Sequence, residues 1–279
     1  MAATSLTING CELFIGTSGY SYPEWIDAGF YPEKTPSVRM LELYSHAFCA
    51  VELNYTWYQM ARPEVMDRML TRLEQAGRKN FFFTAKLTRT MTHEISDDWP
   101  EHARAYVQGI TPLLTAGRLL AVLIQFPTSF HRIRDNRQYL ARLLDSLHRL
   151  PLAVEFRHRS WAVDTVFAGL RERGVTLVAV DTPGLANLFP ALDTVTSSSL
   201  FYLRLHGRNR RDWFSGSMRK QFDYSYSEQE LREWTEEKIV AMAGQCRRGV
   251  LFFNNHVAGQ AVDNARAMTR LVRQGQTQQ

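Results

Sequence analysis

The amino-acid sequence predicts an α/β fold, a single (β/α)8 TIM-type barrel, and three observations carry that expectation. Eight short apolar runs recur along the chain, most of them ending in a polar or charged side chain. The stretches between them mostly carry the three-and-four spacing of amphipathic helices. The chain has 279 residues, enough for one such barrel and little more. Apolar runs bounded by turn residues suit parallel strands, which are covered by helices and so need no polar face.

In chain order, LFIGTSG around Phe14 is the first strand, and a long connection from Thr17 to about Ser37 leads to a helix over 38–48. AVELN at 50–54 is the second strand. Pro63 then suits a helix N1 position, Val65, Met66, Met69, Leu70 and Leu73 make its apolar stripe, and Gly77 suits its cap. NFFFTAK at 80–86 is the third strand. A second long connection runs from Leu87 to Trp99, ahead of a helix over 100–115. LLAVLIQF at 119–126 is the fourth strand, followed by the stripe Leu140, Leu143, Leu144, Leu147 and Leu150. LAVEFRH at 152–158 and VTLVAVD at 175–181 flank a helix over 165–173. LFYLRLHG at 200–207 is the seventh strand, and a third long connection spans Arg208 to Tyr226. Ser227 with Glu230 forms a capping box before Leu231 and Trp234. VLFFNNH at 250–256 is the eighth strand, and a helix over 260–272 closes the order. The expected organisation is one domain over 1–279, with an N-terminal arm at 1–11 and a frayed tail at 274–279.

The composition narrows the function classes. No apolar run approaches the roughly 20 residues that cross a bilayer. The start MAATSLTING lacks a basic segment followed by an apolar core, so no secretory signal is read there. Cys11, Cys49 and Cys246 form no CxxC pair and read as reduced cysteines of a cytoplasmic protein without membrane partners. A net charge of +5 favours an anionic partner.

Strand alternation brings the polar residues together. Tyr202, Arg204 and His206 share one face, as do Glu52 with Asn54, Glu155 with Arg157, and Phe82 with Thr84 and Lys86. Gln125 ends the fourth strand and Asp181 the sixth, and parity lets Asn254 or Asn255 point inward, but hardly both. Burying an unpaired amide or hydroxyl costs about 1–3 kcal/mol, and a charge more. A barrel without a site fills these layers with Val, Ile and Leu. The polar set therefore reads as a site at the C-terminal strand ends, or as a closed ion-pair network such as Glu155 with Arg204 or Glu52 with Lys86. Gly19 and Gly207 suit sharp exits from their strands.

Several motifs carry a resemblance. They are GTSGYSYPEW at 16–25, FYP at 30–32, VELNYTWYQM at 51–60, FTAKLTRTMTH at 83–93 and QFPTSF at 125–130. AVEFRHRSW at 153–161, YLRLHGRN at 202–209 and FFNNHVAGQAVDNA at 252–265 follow. Together, over nearly the whole chain, they resemble the YecE-like family, also called domain of unknown function 72. The resemblance implies a TIM-type barrel and brings no established activity with it.

Three functions are weighed on these residues. The leading one is an enzyme acting by acid–base chemistry on an anionic small substrate, phosphorylated or nucleotide-like. Glu155, Asp181, His206 and Glu52 are its candidate catalytic groups. Lys86, Arg157, Arg204, Asn54, Gln125, Asn254, Tyr20, Trp25 and Arg208 are its candidate binding groups, arginine being suited to bidentate contact with phosphate or carboxylate. Lys86 has a second use, as a Schiff-base amine, against which its acidic neighbours speak. No cofactor is identified. A divalent metal would use Glu155, Asp181, His206 and His256, although Arg157 and Arg204 on the same strands repel a cation. The second function is nucleic-acid binding, with or without cleavage, through the basic and aromatic connection after the seventh strand. The third is a non-catalytic binding protein, with its charges locked together and no room for a ligand. The aromatics of the long connections either meet the ligand or pin the loops to the rim. Oligomeric state is not legible.

Overall fold

The computed structural model describes residues 4–277. Nine strands form one sheet: β1 (Leu6–Ile8), β2 (Cys11–Thr17), β3 (Ala50–Leu53), β4 (Phe82–Lys86), β5 (Leu119–Gln125), β6 (Leu152–Glu155), β7 (Thr176–Asp181), β8 (Leu200–Leu205) and β9 (Arg248–Phe253). Their order is β1-β2-β9-β8-β7-β6-β5-β4-β3, and β2 to β9, the eight expected strands, all pair in parallel. The sheet curls until β2 and β3 meet. Ser18 bridges Glu52 there, and the Gly19 N–H donates to the Glu52 carbonyl at 2.8 Å. The fold is thus α/β, built on a curled parallel sheet with helices outside it.

The meeting of β2 and β3 depends on one small residue. A Cβ on Gly16 would lie 2.2 Å from the Ala50 carbonyl oxygen, so a side chain there would push the strands apart. Tyr44, from helix Ser37–Ala47, fills the same seam. Its hydroxyl accepts from the Thr17 N–H at 2.8 Å and donates to the Ala50 carbonyl at 3.2 Å. Gly19 and Gly207 both take left-handed φ, +84° and +90°, as the strand exits require.

The expected helices appear as Ser37–Ala47, Pro63–Gln75, Trp99–Thr115, Arg134–Ser146, Asp164–Glu172 and Gln260–Thr277. The Ser227–Glu230 capping box is formed and starts helix Glu228–Glu233. Two features depart from the simple alternation. Residues 9 and 10, Asn-Gly, both take positive φ and fold the arm back as β1 against β2, with Ile8 opposite Cys11. Residues 182–199 carry no helix; Pro183, Gly184 and Pro190 break that segment, and Thr196 ties it to β7 through the Leu177 N–H and the Val175 carbonyl, both at 2.7 Å. Gln278 and Gln279, the end of the expected frayed tail, lie outside the described residues; helix Gln260–Thr277 extends into that tail. The three cysteines are buried and unpaired. Among the described residues no helix is long and apolar enough to cross a membrane.

Candidate functional site

Strand alternation sets Tyr202, Arg204 and His206 on the concave side of the sheet, and Arg204 is the hub of what they meet. Its Nη1 donates to Glu155 Oε2 at 2.6 Å, and its Nη2 donates to Glu52 Oε1 at 2.6 Å and to Ser18 Oγ at 3.0 Å. The Ser18 hydroxyl donates to the same Glu52 oxygen and accepts from Asn54 Nδ2 at 2.9 Å. The other Glu52 oxygen accepts from the Tyr202 hydroxyl at 2.5 Å, which leaves the Tyr202 oxygen to accept from Thr84 Oγ1 at 2.8 Å. Glu52, Glu155, Tyr202, Thr84, Ser18 and Arg204 are all buried. Such a cluster is tolerable only because nearly every charge has an opposite partner.

Glu155 faces two more groups. Arg157 Nε pairs with its Oε1, and His206 Nε2 stands 3.2 Å from the same oxygen. Burial alone would raise the Glu155 pKa, but the guanidiniums of Arg157 and Arg204 hold it well below the usual carboxylate range. Burial pushes His206 down to about 3, and the positive Arg157 adds to the effect. Asn254 Nδ2 meets His206 Nδ1 at 3.1 Å. A donor there places the ring proton on Nε2, toward Glu155. At neutral pH the cluster holds an ionised Glu155 beside an uncharged His206.

This cluster floors a cavity of about 1010 Å³ at the C-terminal strand ends. Lys86, Arg157 and Arg204 line its depth, and Arg68 and Arg72 of helix Pro63–Gln75 line its rim; none of the described lining residues is acidic. Asn54, Gln125 and Asn254 add amides, and Tyr20, Tyr22, Trp57, Tyr58 and Phe222 add aromatic wall. Two carboxylates meet two guanidiniums in the floor, so the half-buried Lys86 is the surplus cation. Its Nζ lies 4.9 Å from the Trp57 ring centroid. Burial, with the charge of Arg204 next, lowers the Lys86 pKa to about 7.

Of the expected site residues, the structure gathers Glu52, Asn54, Lys86, Gln125, Glu155, Arg157, Arg204, His206, Asn254 and Tyr20 in or under this cavity. Asp181, Arg208 and Trp25 stand elsewhere, and His256 lines the cavity without joining the floor cluster. Asp181 lies in register with Leu205, one residue beyond the Val180–Arg204 pair, so it faces the outer layer. There it accepts from Arg208 Nε at 2.9 Å, and Arg208 Nη1 continues to Glu230 at 3.1 Å. Burial raises the Asp181 pKa despite Arg208. Asp181 and Arg208 thus anchor the third long loop instead of entering the cavity. Trp25 is fully buried, its Nε1 donating to the His256 carbonyl at 2.8 Å, so it pins the first loop. His256 stacks on Tyr22 with centroids 4.6 Å apart and turns Nδ1 toward Glu24 at 3.4 Å. The expected metal set of Glu155, Asp181, His206 and His256 therefore does not converge. Among the described residues no group of three or more His, Cys, Asp or Glu is placed to hold a metal ion. Asn254 points inward, whereas Asn255 turns outward to Asn264 at 2.8 Å.

The sequence reading missed Trp57, Tyr58, Arg68 and Arg72. Trp57 and Tyr58 lie on the short helix Tyr55–Tyr58 directly after β3, where a strand end always faces the cavity. Arg68 and Arg72 are four apart, hence on one helical face, beside the apolar stripe that packs the helix onto the sheet.

A family model described as protein of unknown function DUF72 matches residues 14–279. The chain belongs to the DUF72 family. This DUF72 chain is 27% identical over 275 residues to the UPF0759 protein YunF of Bacillus subtilis, covering 93% of this chain and 94% of YunF. It is 27% identical over 183 residues to the UPF0759 protein YecE of Escherichia coli K12, covering 61% and 59%. It also resembles a crystal structure of a DUF72 family protein from Thermotoga maritima, at 34% identity and a TM-score of 0.83, over 94% of this chain and 99% of that one.

Proposed function

We propose that this DUF72 protein is an enzyme that holds an anionic small molecule, bearing phosphate or carboxylate, in the cavity and acts on it by proton transfer. One observation carries the reading: the cavity presents five Lys and Arg side chains and no Asp or Glu among its described lining residues. Arg157 offers planar donors suited to a phosphate or carboxylate, and Arg204, its own donors engaged with Glu52, Glu155 and Ser18, adds positive charge to the floor. The aromatic wall suits a ring attached to the charged group. Glu155 and Glu52 are engaged with arginine, and His206 is buried beneath the floor, so these three orient the cationic groups. Lys86, poised near neutral pH and open to the cavity, takes the proton-transfer role in place of Glu155, Asp181, His206 and Glu52. Within this reading the curled sheet closes into an eight-stranded TIM-type barrel that lacks the helix after β7, with its mouth formed by the long loops after β2, β4 and β8; the Ser18–Glu52 bridge supports closure. Titration calorimetry with inorganic phosphate and pyrophosphate tests the binding step. The wild-type protein should bind, and Arg157→Met should weaken binding at least about ten-fold, or 1.4 kcal/mol. Equal affinity in the two proteins, or no binding at millimolar ligand, would overturn it.

A longer anion is the second reading. The loop after β8 exposes Arg210, Arg211, Arg219 and Lys220 together with Phe214. Those groups suit a phosphate backbone and a stacked base. Single-stranded DNA binding that falls steeply with salt, and that is lost when these four are changed to Ser but not in Arg157→Met, would favour it.

A further inference from the structure

We infer that Lys86 is a carbonyl-capturing amine, forming an imine with an anionic aldehyde or ketone held in the cavity. This deepens the proposed function and rests on its anion-binding half.

Four observations place the amine. Lys86 ends β4, and its side chain reaches the cavity from the face that carries Thr84. Its backbone carbonyl accepts from Thr56 Oγ1 at 2.7 Å and from the Tyr106 hydroxyl at 3.1 Å, so the strand end beneath it is fixed. The carboxylates that would hold an ammonium in place are spent: Glu52 and Glu155 both bind Arg204, and Asp181 faces away. Among the described residues no carboxylate is within ion-pair distance of Nζ, whose near neighbour is the Trp57 indole. The acidic neighbours that argue from sequence for a permanently charged lysine thus act on Nζ only at a distance, and the support that Glu52 and Glu155 give to its charge is outweighed by burial and by Arg204. Arg157 and Arg204 line the same cavity and add positive charge that opposes protonation. In keeping with that geometry, its pKa of about 7 leaves much of the amine uncharged at neutral pH.

The chemistry closes without another reagent. The Nζ lone pair attacks the carbonyl carbon, a C–N bond forms, and the C=O π pair moves to oxygen. A proton passes from nitrogen to that oxygen through solvent, giving a carbinolamine. The hydroxyl then leaves as water as C=N forms, so amine and carbonyl become imine and water. Arg157, at the other side of the floor, would hold the phosphate or carboxylate that brings the carbonyl to Nζ.

Pyridoxal 5′-phosphate, an aromatic aldehyde with a phosphate, is a suitable probe, trapped with cyanoborohydride and mapped by peptide mass spectrometry. The chain has five lysines, Lys34, Lys79, Lys86, Lys220 and Lys238. Lys86 should be labelled at least ten-fold faster than any other. Inorganic phosphate should suppress that labelling, pyridoxal without the phosphate should label at least ten-fold less, and Lys86→Arg should abolish the adduct. The labelling rate at Lys86 should reach half its maximum near pH 7. Two results would overturn the inference: wild-type protein that binds phosphate by calorimetry yet carries no Lys86 adduct, or a labelling midpoint near that of a free lysine. In the first case the anion-binding reading survives; failure of both phosphate and probe to bind would remove that reading as well.

Discussion

Arg204 shows how one side chain organises the floor of the site. Its guanidinium spans Glu52 and Glu155, which lie on strands far apart in the sheet. Burial would lower its pKa, but the two carboxylates raise it, so it stays charged. Removing it leaves two carboxylates with fewer donors in a site that water does not reach. Arg204→Met should therefore destabilise the fold by about 3–5 kcal/mol, measured by urea denaturation. Adding Glu52→Gln should recover part of that loss, because the orphaned charge goes with its partner; a double variant weaker than the sum of both singles would sink the argument. The sequence made this hub legible. Tyr202, Arg204 and His206 alternate with Phe201, Leu203 and Leu205, and the polar set can only share a face. Asp181 was not legible for the converse reason. It is the lone polar residue at the end of VTLVAV, a strand buried on both faces, so nothing in the run says which face it takes.

At the scale of elements, the seam between β2 and β3 is the weakest part of the sheet by hydrogen bonding. One bridge and one backbone amide join the strands there, and the other links run through side chains: the Tyr44 hydroxyl, the Ser18 hydroxyl on Glu52, and Asn54 on Ser18. Tyr44→Phe should cost about 1–3 kcal/mol, since the Thr17 N–H and the Ala50 carbonyl both lose a partner without water to replace it. Gly16→Ala should cost more, through direct collision with Ala50. Hydrogen exchange separates the two ideas: Tyr44→Phe should speed exchange at Thr17 more than at Phe14, and uniform acceleration along β2 would count against a local seam. Strands and helices were legible because each has its own period. The β1 hairpin was not, although Asn9-Gly10 is a strong turn signal, because its flanking runs are too short to show alternation. The cavity wall on helix Tyr55–Tyr58 escaped for a related reason: a four-residue helix has no period to read.

For the whole molecule, the buried ionisable groups set how stability responds to pH. His206 titrates near 3 in the folded chain against an ordinary value of 6.5. Between those values the unfolded chain binds a proton that the folded chain does not, so acid favours unfolding; the His206 contribution is complete above pH 6.5 and is lost toward pH 3. Glu155, held well below 4.5, acts in the same direction: its stabilisation is present above that value and fades as pH falls through the folded pKa. Asp181 opposes them, since its raised pKa favours the folded state only in acid. Lys86 adds a separate window. Its folded value of about 7 lies below the ordinary 10.5, so the unfolded chain again binds the extra proton and stability rises with pH between the two. Unfolding free energy should thus climb from about pH 4 to 6.5 and again from pH 7 to about 9, where the raised pKa values of the buried Cys11, Cys49 and Cys246 thiols begin to oppose Lys86, with each proton worth at most about 1.4 kcal/mol per pH unit. His206→Asn should flatten the first rise, leaving the part owed to His93, pushed down to about 4 by burial, and to His158 and His256, whose pKa values are also lowered by burial. Lys86→Met should flatten the second and leave the first intact. Denaturant titrations across pH 4–10 on the three proteins would decide it, and a second slope unchanged in Lys86→Met would show that the lysine is not the group perturbed by this cavity.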